Sequence, residues 1–125
     1  MRSKQQPNRG KRQHLRLKVW LEADDGLVTL SDWRASLLEA VQRHGSLVAA
    51  ARELNVPHRT AWQRLHEMEE RLGARLVDTS SGGAAGGASR LTPAAEDLLR
   101  RFTALRAGLD EQLAERFRAQ FEQDA

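Results

Sequence analysis

Residues 46–72 read SLVAAARELNVPHRTAWQRLHEMEERL, and this stretch decides the fold. Ser46 is a helix-capping residue, and the alanine-rich run after it predicts a short helix over residues 47–54. The segment Asn55-Val56-Pro57 predicts a tight turn, followed by a second helix over residues 58–72 that stops at Gly73. Two helices joined by a three-residue turn indicate a helix-turn-helix.

The second helix of this pair is expected to be amphipathic. Its apolar residues recur at intervals of four, three and four and therefore share one face; they are Ala61, Leu65, Met68 and Leu72. Arg59, Gln63 and His66 lie almost opposite and are expected to point away from the core. No acidic residue occurs between positions 55 and 66, and acids begin only at Glu67. Such an outer face suits the major groove of DNA, which is about 12 Å wide.

The residues before this pair predict a β-hairpin and one more helix. Residues 15–21, LRLKVWL, alternate between apolar and polar, which predicts a strand half-buried on one face. A short return strand is expected over residues 27–30. Ser31-Asp32 can then cap a helix that runs from near Trp33 to a stop at His44-Gly45.

The residues after the pair predict a wing and a long helix. Residues 75–77 and 89–91 are expected to form a strand pair around the glycine-rich loop DTSSGGAAGGA. Thr92-Pro93 then opens a helix as its cap and first-turn proline. The apolar residues of this helix recur at steps of three or four, and a stripe of this length usually needs a partner. They are Leu98, Phe102, Leu105, Leu109, Leu113, Phe117 and Phe121.

Charges are segregated along the chain. The 125 residues carry 20 Lys and Arg against 17 Asp and Glu, a formal net charge of +3. Residues 1–18 contain seven basic side chains and no acid, which leaves 13 basic and 17 acidic groups, a net of −4, on the rest. Residues 1–14 have no aliphatic side chain after Met1 and are expected to be a disordered basic arm. Such an arm can displace counterions from DNA phosphates, although an ordinary solubilising terminus has the same composition.

Missing residue types exclude several chemistries. The chain has no cysteine, which removes disulfides, thiolate metal sites and cysteine nucleophiles. The glycine-rich loop does not match a P-loop, because no lysine follows Lys18. His58 and His66 are eight residues apart on a predicted helix, about 12 Å along its axis, which is too far to share one ion. We therefore expect no enzymatic activity, no metal and no cofactor.

Two side chains of the second helix are well suited to reading bases. A guanidinium can donate to guanine O6 and N7 and a carboxamide can pair with adenine, which favours Arg59 and Gln63; a solvated helix face is the alternative. Arg64 and His58 lie at the sides of the helix and are expected to contact phosphates. Trp62 flanks the apolar stripe and is expected in the core. Tryptophans beside apolar runs usually belong there, and the chain has three: Trp20, Trp33 and Trp62.

Several short segments resemble a known family. They are Gly45-Ser46-Leu47, Ala50-Ala51, Leu54, Val56, Thr60-Ala61-Trp62, Leu65, Glu67-Met68, Leu76-Val77 and the glycine-rich loop. Together they are similar to the N-terminal DNA-binding domain of the ModE family of bacterial molybdate-responsive transcription regulators. More distantly, the segments AARELNV, EERLGARLV and LTPAAEDLL resemble the winged helix-turn-helix of LysR-type regulators. The likeness covers about residues 15–120 and keeps the hairpin, wing and long helix in the family order.

The resemblance implies a role for each element. The helix over residues 58–72, the third along the chain, would read the major groove, and the wing would contact DNA beside it. The long last helix would form a homodimer. The expected base-reading residues are Arg59, Thr60, Gln63 and His66, and the expected backbone contacts are Ser46, His58, Arg64, Arg75, Ser81 and Arg90. The expected dimerisation residues are Leu98, Phe102, Leu105, Leu109, Leu113 and Phe117. The molybdate-binding domains of the ModE family have no counterpart in this sequence, so the chain is expected to be either a one-domain regulator or one whose signal arrives through another protein.

The sequence therefore predicts a mostly α fold with a small β component: a winged helix-turn-helix with an N-terminal hairpin, a two-stranded wing and a long C-terminal helix. Residues 1–14 would be the arm, 15–92 the DNA-binding domain and 93–125 the dimerisation helix. The predicted function is sequence-specific transcription regulation by a homodimer on a pseudo-palindromic double-stranded operator, in the bacterial cytoplasm at the nucleoid. A non-specific architectural DNA binder and a protein-interaction module that uses the long apolar helix are the alternatives.

Overall fold

The computed structural model describes residues 10–80 and 88–122. Four helices and two antiparallel strand pairs follow one another along these residues. The elements in chain order are β1 (Trp20–Glu22), β2 (Val28–Ser31), α1 (Asp32–His44), α2 (Leu47–Glu53), α3 (His58–Leu72), β3 (Val77–Thr79), β4 (Ser89–Leu91) and α4 (Pro93–Phe121). This mostly helical order confirms the predicted winged helix-turn-helix.

Helix boundaries follow the capping residues closely. The side chains of Ser31, Ser46 and Thr92 accept hydrogen bonds from backbone N–H groups in the first turns of α1, α2 and α4. Gly45 and Gly73 end α1 and α3 in the left-handed conformation, with φ of 66° and 69°. The helix boundaries predicted around these residues are therefore confirmed to within one residue.

The helix-turn-helix is held together by small buried residues. Ala50 of α2 and Ala61 of α3 are both 0% exposed, so the two helices approach each other closely. Asn55 in the turn between them has φ of 60°, a left-handed conformation that asparagine tolerates better than most residues. Leu65 and Met68 continue the buried face of α3 into the core beneath α1. The apolar stripe predicted for α3 is therefore the face that packs.

The first hairpin is shorter than its alternating sequence predicts. A strand over residues 15–21 is wrong before Trp20, and the return strand lies one residue later than expected, at Val28–Ser31. Trp20 pairs with Ser31, and the next residue, Asp32, already belongs to α1, so the ladder cannot extend toward residue 15. The backbone before β1 is bound elsewhere, because Arg106 of α4 donates to the carbonyl of Leu17 at 2.6 Å.

The strand pair of the wing begins two residues later than the sequence predicts. The expected strand over residues 75–77 is instead Val77–Thr79, whereas the partner strand Ser89–Leu91 is confirmed. The N–H groups of Leu76 and Val77 donate to the Glu69 carboxylate at 2.8 and 3.2 Å, and the ladder begins with the pair Val77 and Leu91. Most of the predicted glycine-rich loop, residues 81–87, lies outside the described residues.

The last helix begins in the core and then leaves it. Ala95, Leu99 and Phe102 are buried against the rest of the chain, whereas Leu105 is 46% exposed and Phe121 66%. The 29 residues of α4 span about 43 Å at 1.5 Å per residue. Among the described residues, no helix has the length and hydropathy that crossing a bilayer requires.

Two sets of polar contacts fix α1 against its neighbours. At its C-terminus, Arg43 and His44 both contact the carboxylate of Glu53 on α2. The hydrogen bond from Arg43, followed by that from His44, lowers the pKa of Glu53 to about 2. Near its N-terminus, the Arg34 guanidinium donates to the carbonyl of Arg64 at 3.2 Å and to Glu67 at 3.1 Å, both on α3. Arg34 therefore ties α1 directly to the backbone of α3.

We expect Arg34→Ala to lower the free energy of unfolding by about 1–3 kcal/mol, because it removes the charged donor that bonds both the Arg64 carbonyl and the Glu67 carboxylate of α3 from α1. Urea unfolding followed by circular dichroism measures this loss. Arg100→Ala is the matched control, since the Arg100 side chain is 70% exposed and its ion pair with Asp97 lies on the surface of α4. A loss no larger than that of the control would contradict the role of Arg34.

Candidate nucleic-acid interface

The outward face of α3 carries polar and cationic groups that reach solvent. Arg59 and Gln63 are exposed, as predicted, and His58 at the first position of the helix is exposed as well. Thr60, on the flank of the helix, is half-buried. The structure therefore brings Arg59 and Gln63 together one turn apart on a free surface, with His58 beside them.

The nearest carboxylates of α3 turn back toward the body of the protein. Glu67 is bonded to Arg34 of α1, and Glu69 accepts hydrogen bonds from the backbone N–H groups of Leu76 and Val77. The Glu69 side chain is only 14% exposed. The carboxylates of Glu67 and Glu69 are thus bonded at the flanks of the helix and kept off the face that Arg59 and Gln63 share. The next acid, Glu70, is exposed and lies on that face one turn beyond His66.

Glu67 is the centre of a group of arginines. Its carboxylate lies 3.1 Å from Arg34, 2.9 Å from Arg64 and 3.9 Å from Arg71. Partial burial acts to raise the pKa of Glu67, but the hydrogen bond from Arg34 and the charges of all three arginines outweigh it and lower the pKa below its ordinary value. Arg64, predicted to contact a phosphate, donates to Glu67 through Nη1, and its side chain is 40% exposed.

Trp62 does not lie in the core, contrary to the sequence prediction. Its exposed fraction is 49%, and its ring packs on the imidazole of His66 with centroids 3.9 Å apart. The reason is angular: at 100° per residue, position 62 lies about 90° from the centre of the buried stripe. Trp20 is likewise 51% exposed and donates to Glu22, whereas Trp33 packs against the core as expected.

The other predicted backbone contacts are scattered around α3. The hydroxyl of Ser46 caps α2 and is bonded to Ala49 N. Arg75 and Arg90 are exposed near the strands of the wing, where Arg75 lies 3.7 Å from Asp78. Ser81 lies outside the described residues. The structure therefore groups Arg75 and Arg90 with the wing and leaves Ser46 occupied by its helix.

Sequence reasoning missed the groups that hold this surface in place. Glu67 lies three residues after Arg64 and four before Arg71, a spacing from which helical ion pairs are predictable. No such local signal marks Arg34, because it is 33 residues from Glu67 in the chain. A helical-wheel position 90° from the stripe is also the signal that places Trp62 on the surface.

Residues 34–96 match the family model described as bacterial regulatory helix-turn-helix protein, lysR family. The chain is 41% identical over 81 residues to the molybdenum-pterin-binding protein MopB of Rhodobacter capsulatus, a match that covers 65% of this chain and 30% of MopB. It is 34% identical over 88 residues to the molybdenum transport protein ModE of Azotobacter vinelandii, covering 70% of this chain and 32% of that protein. The chain thus spans about a third of the length of these relatives.

The fold resembles that of a solved protein–DNA complex. The crystal structure of the CbnR_DBD–DNA complex aligns with a TM-score of 0.54 and 26% sequence identity, over 69% of this chain and 92% of that one. The resemblance to ModE and to LysR-type regulators that the sequence suggested is confirmed by these matches. Because the family model covers the helix-turn-helix, the wing and the start of α4, this chain belongs to the lysR family of bacterial regulatory helix-turn-helix proteins.

Proposed function

We propose that this protein is a sequence-specific DNA-binding transcriptional regulator that acts as a homodimer on a pseudo-palindromic operator. The observation that carries the proposal is the outward face of α3, where Arg59 and Gln63 are exposed while Glu67 and Glu69 are bonded to other elements. A helix with this surface, standing on a helix-turn-helix, suits the major groove. The structural relative at 26% sequence identity, solved as a complex with DNA, supports DNA binding by this fold.

The wing and the arm supply contacts that do not read sequence. The wing over residues 75–91 contains the strands β3 and β4, and Arg75 and Arg90 are exposed on or near these strands. This position suits both arginines to contact the phosphates that flank the operator bases. The basic residues before position 15 add positive charge that a phosphate backbone attracts. We assign residues 15–92 to DNA binding, with the arm before them and α4 after them.

Self-association is assigned to the part of α4 that leaves the core. Phe102 was expected to contact the partner, but it is only 4% exposed and packs inside its own chain, so it is removed from the dimer set. Leu98 also packs against the core. The remaining stripe comprises Leu105, Leu109, Leu113 and Phe117, of which Leu105 is 46% exposed. Pairing two such helices would place two recognition helices on successive major grooves, about 34 Å apart.

Two other functions of the same fold make different predictions. A non-specific architectural protein would show no preferred site, and a protein-interaction module would not bind DNA below micromolar concentration at moderate salt. Selection of bound fragments from genomic DNA, combined with sedimentation of the protein, separates all three. We propose that this protein acts on the bacterial chromosome in the cytoplasm. Its control by a separate effector-binding protein stays a prediction.

We expect Arg59→Ala and Gln63→Ala each to weaken binding to the selected site by about 1–3 kcal/mol and to relax its sequence preference, since each removes a hydrogen-bonding contact to a base edge. Competition binding with the selected site and with random DNA measures both effects. Arg118→Ala, near the far end of α4, is the matched control and should leave the preference unchanged. Equal losses on both DNAs would show that these residues do not read bases.

Placing a carboxylate at Leu105, the exposed residue of this stripe, should disrupt the dimer. Leu105→Asp is expected to weaken self-association about tenfold or more, because an unpaired buried carboxylate costs several times the thermal energy. Sedimentation velocity over a concentration series measures the association constant. Ala104→Asp introduces the same charge on an exposed side of α4 away from the stripe and should sediment as wild type. If Leu105→Asp also behaves as wild type, the dimer interface lies elsewhere.

Deleting residues 1–14 should weaken binding to every DNA sequence, because the arm contributes charge and no base contacts. The slope of log K against log salt is expected to be less steep for the shortened chain. The difference should be about 0.9 for each phosphate that the arm neutralises in the full chain. Titrations of the full and shortened chains at four salt concentrations give both slopes. An unchanged slope would exclude the arm from DNA binding.

A further inference from the structure

Trp62 is the one large aromatic side chain on the exposed surface of α3. Its exposed fraction of 49% contrasts with Trp33, whose side chain packs against the core. It is the fifth residue of α3, close to the N-terminal turns through which a recognition helix contacts bases. On a helix proposed to enter the major groove, this apolar ring would lie within reach of the base edges.

The indole is held in place by a chain of contacts that begins at the wing. The N–H groups of Leu76 and Val77 donate to Oε2 of Glu69 at 2.8 and 3.2 Å. Oε1 of the same carboxylate lies 3.1 Å from Nδ1 of His66, and the His66 ring packs on Trp62 at 3.9 Å with a tilt of 49°. The ring of Trp62 is therefore positioned before any ligand arrives, which reduces the conformational entropy that binding has to remove.

The chemistry of the major groove narrows what this ring can contact. An intact duplex presents base edges there and keeps base faces stacked, so the ring cannot stack on a base without unpairing it. Among the base edges, the C5-methyl group of thymine is the apolar one. A fixed aromatic surface beside the donors of Arg59 and Gln63 thus complements a thymine next to the bases that those residues read.

We propose that Trp62 is a specificity-determining residue that selects a thymine in each half-site by packing against its C5-methyl group. This inference rests on the proposed placement of α3 in the major groove. His66 and Glu69 act as positioning residues, because they hold the indole and connect it to the base of the wing. Recognition would then combine polar readout by Arg59 and Gln63 with apolar readout by Trp62.

The test replaces thymidine by deoxyuridine, one position at a time, in the site selected by the full chain. Deoxyuridine pairs in the same way but lacks the methyl group. Wild-type protein should bind about fourfold more weakly when the contacted thymine is replaced in one half-site, the factor expected from the burial of one methyl group, and about fifteenfold more weakly when it is replaced in both. Trp62→Ala should bind the thymine and uracil forms equally, and Trp62→Phe should retain part of the discrimination. Trp20→Ala, which removes an equally exposed indole from β1, should discriminate as wild type.

Several results of these binding experiments would overturn the proposed role of Trp62. Wild-type protein that is insensitive to uracil at every position overturns the inference without any variant, as does a selected half-site that contains no thymine. Discrimination that persists in Trp62→Ala overturns it as well. If the site is still selected and Arg59→Ala relaxes its preference, the proposed function stands while the role of Trp62 fails. If no site is selected at all, the proposed function fails first.

Discussion

The rotation of α3 about its own axis is the constraint on which the rest of the structure depends. Ala61, Leu65 and Met68 are buried, and the zero exposure of Ala50 and Ala61 leaves no room between α2 and α3 for a different orientation. Once these residues face inward, Arg59 and Gln63 must face outward and Trp62 must lie at the flank. Packing in the core therefore decides which side chains lie on the proposed DNA-binding face of α3.

Electrostatics on the two flanks of α3 reinforces this orientation. Glu67 is bonded to Arg34 on one flank, and Glu69 is bonded to the backbone at the start of β3 on the other. Both carboxylates contribute to stability while they are kept off the proposed DNA-binding face. A helix that carries acids close to its basic residues can in this way retain a surface that is attractive to phosphates.

The long helix α4 serves two parts of the molecule in succession. Its first turns complete the core through Ala95, Leu99 and Phe102, and its later turns present apolar residues outward. Arg106 lies between these parts and contacts Asp32, Asp110 and the carbonyl of Leu17. The same periodic stripe is therefore divided between an intramolecular role and the proposed dimer, and sequence periodicity alone cannot show where one ends and the other begins.

The sequence by itself determined the order of elements, the helix boundaries and the outward position of Arg59 and Gln63, because caps, turns and helical periodicity act over a few residues. Tertiary structure alone decided where the strands begin, which residues of α4 are buried and how α3 is anchored. These depend on contacts between distant positions, such as Arg34 with Glu67 and Arg106 with Leu17, 33 and 89 residues apart. Local sequence patterns do not predict such pairs, because the pairs form only when the chain has folded.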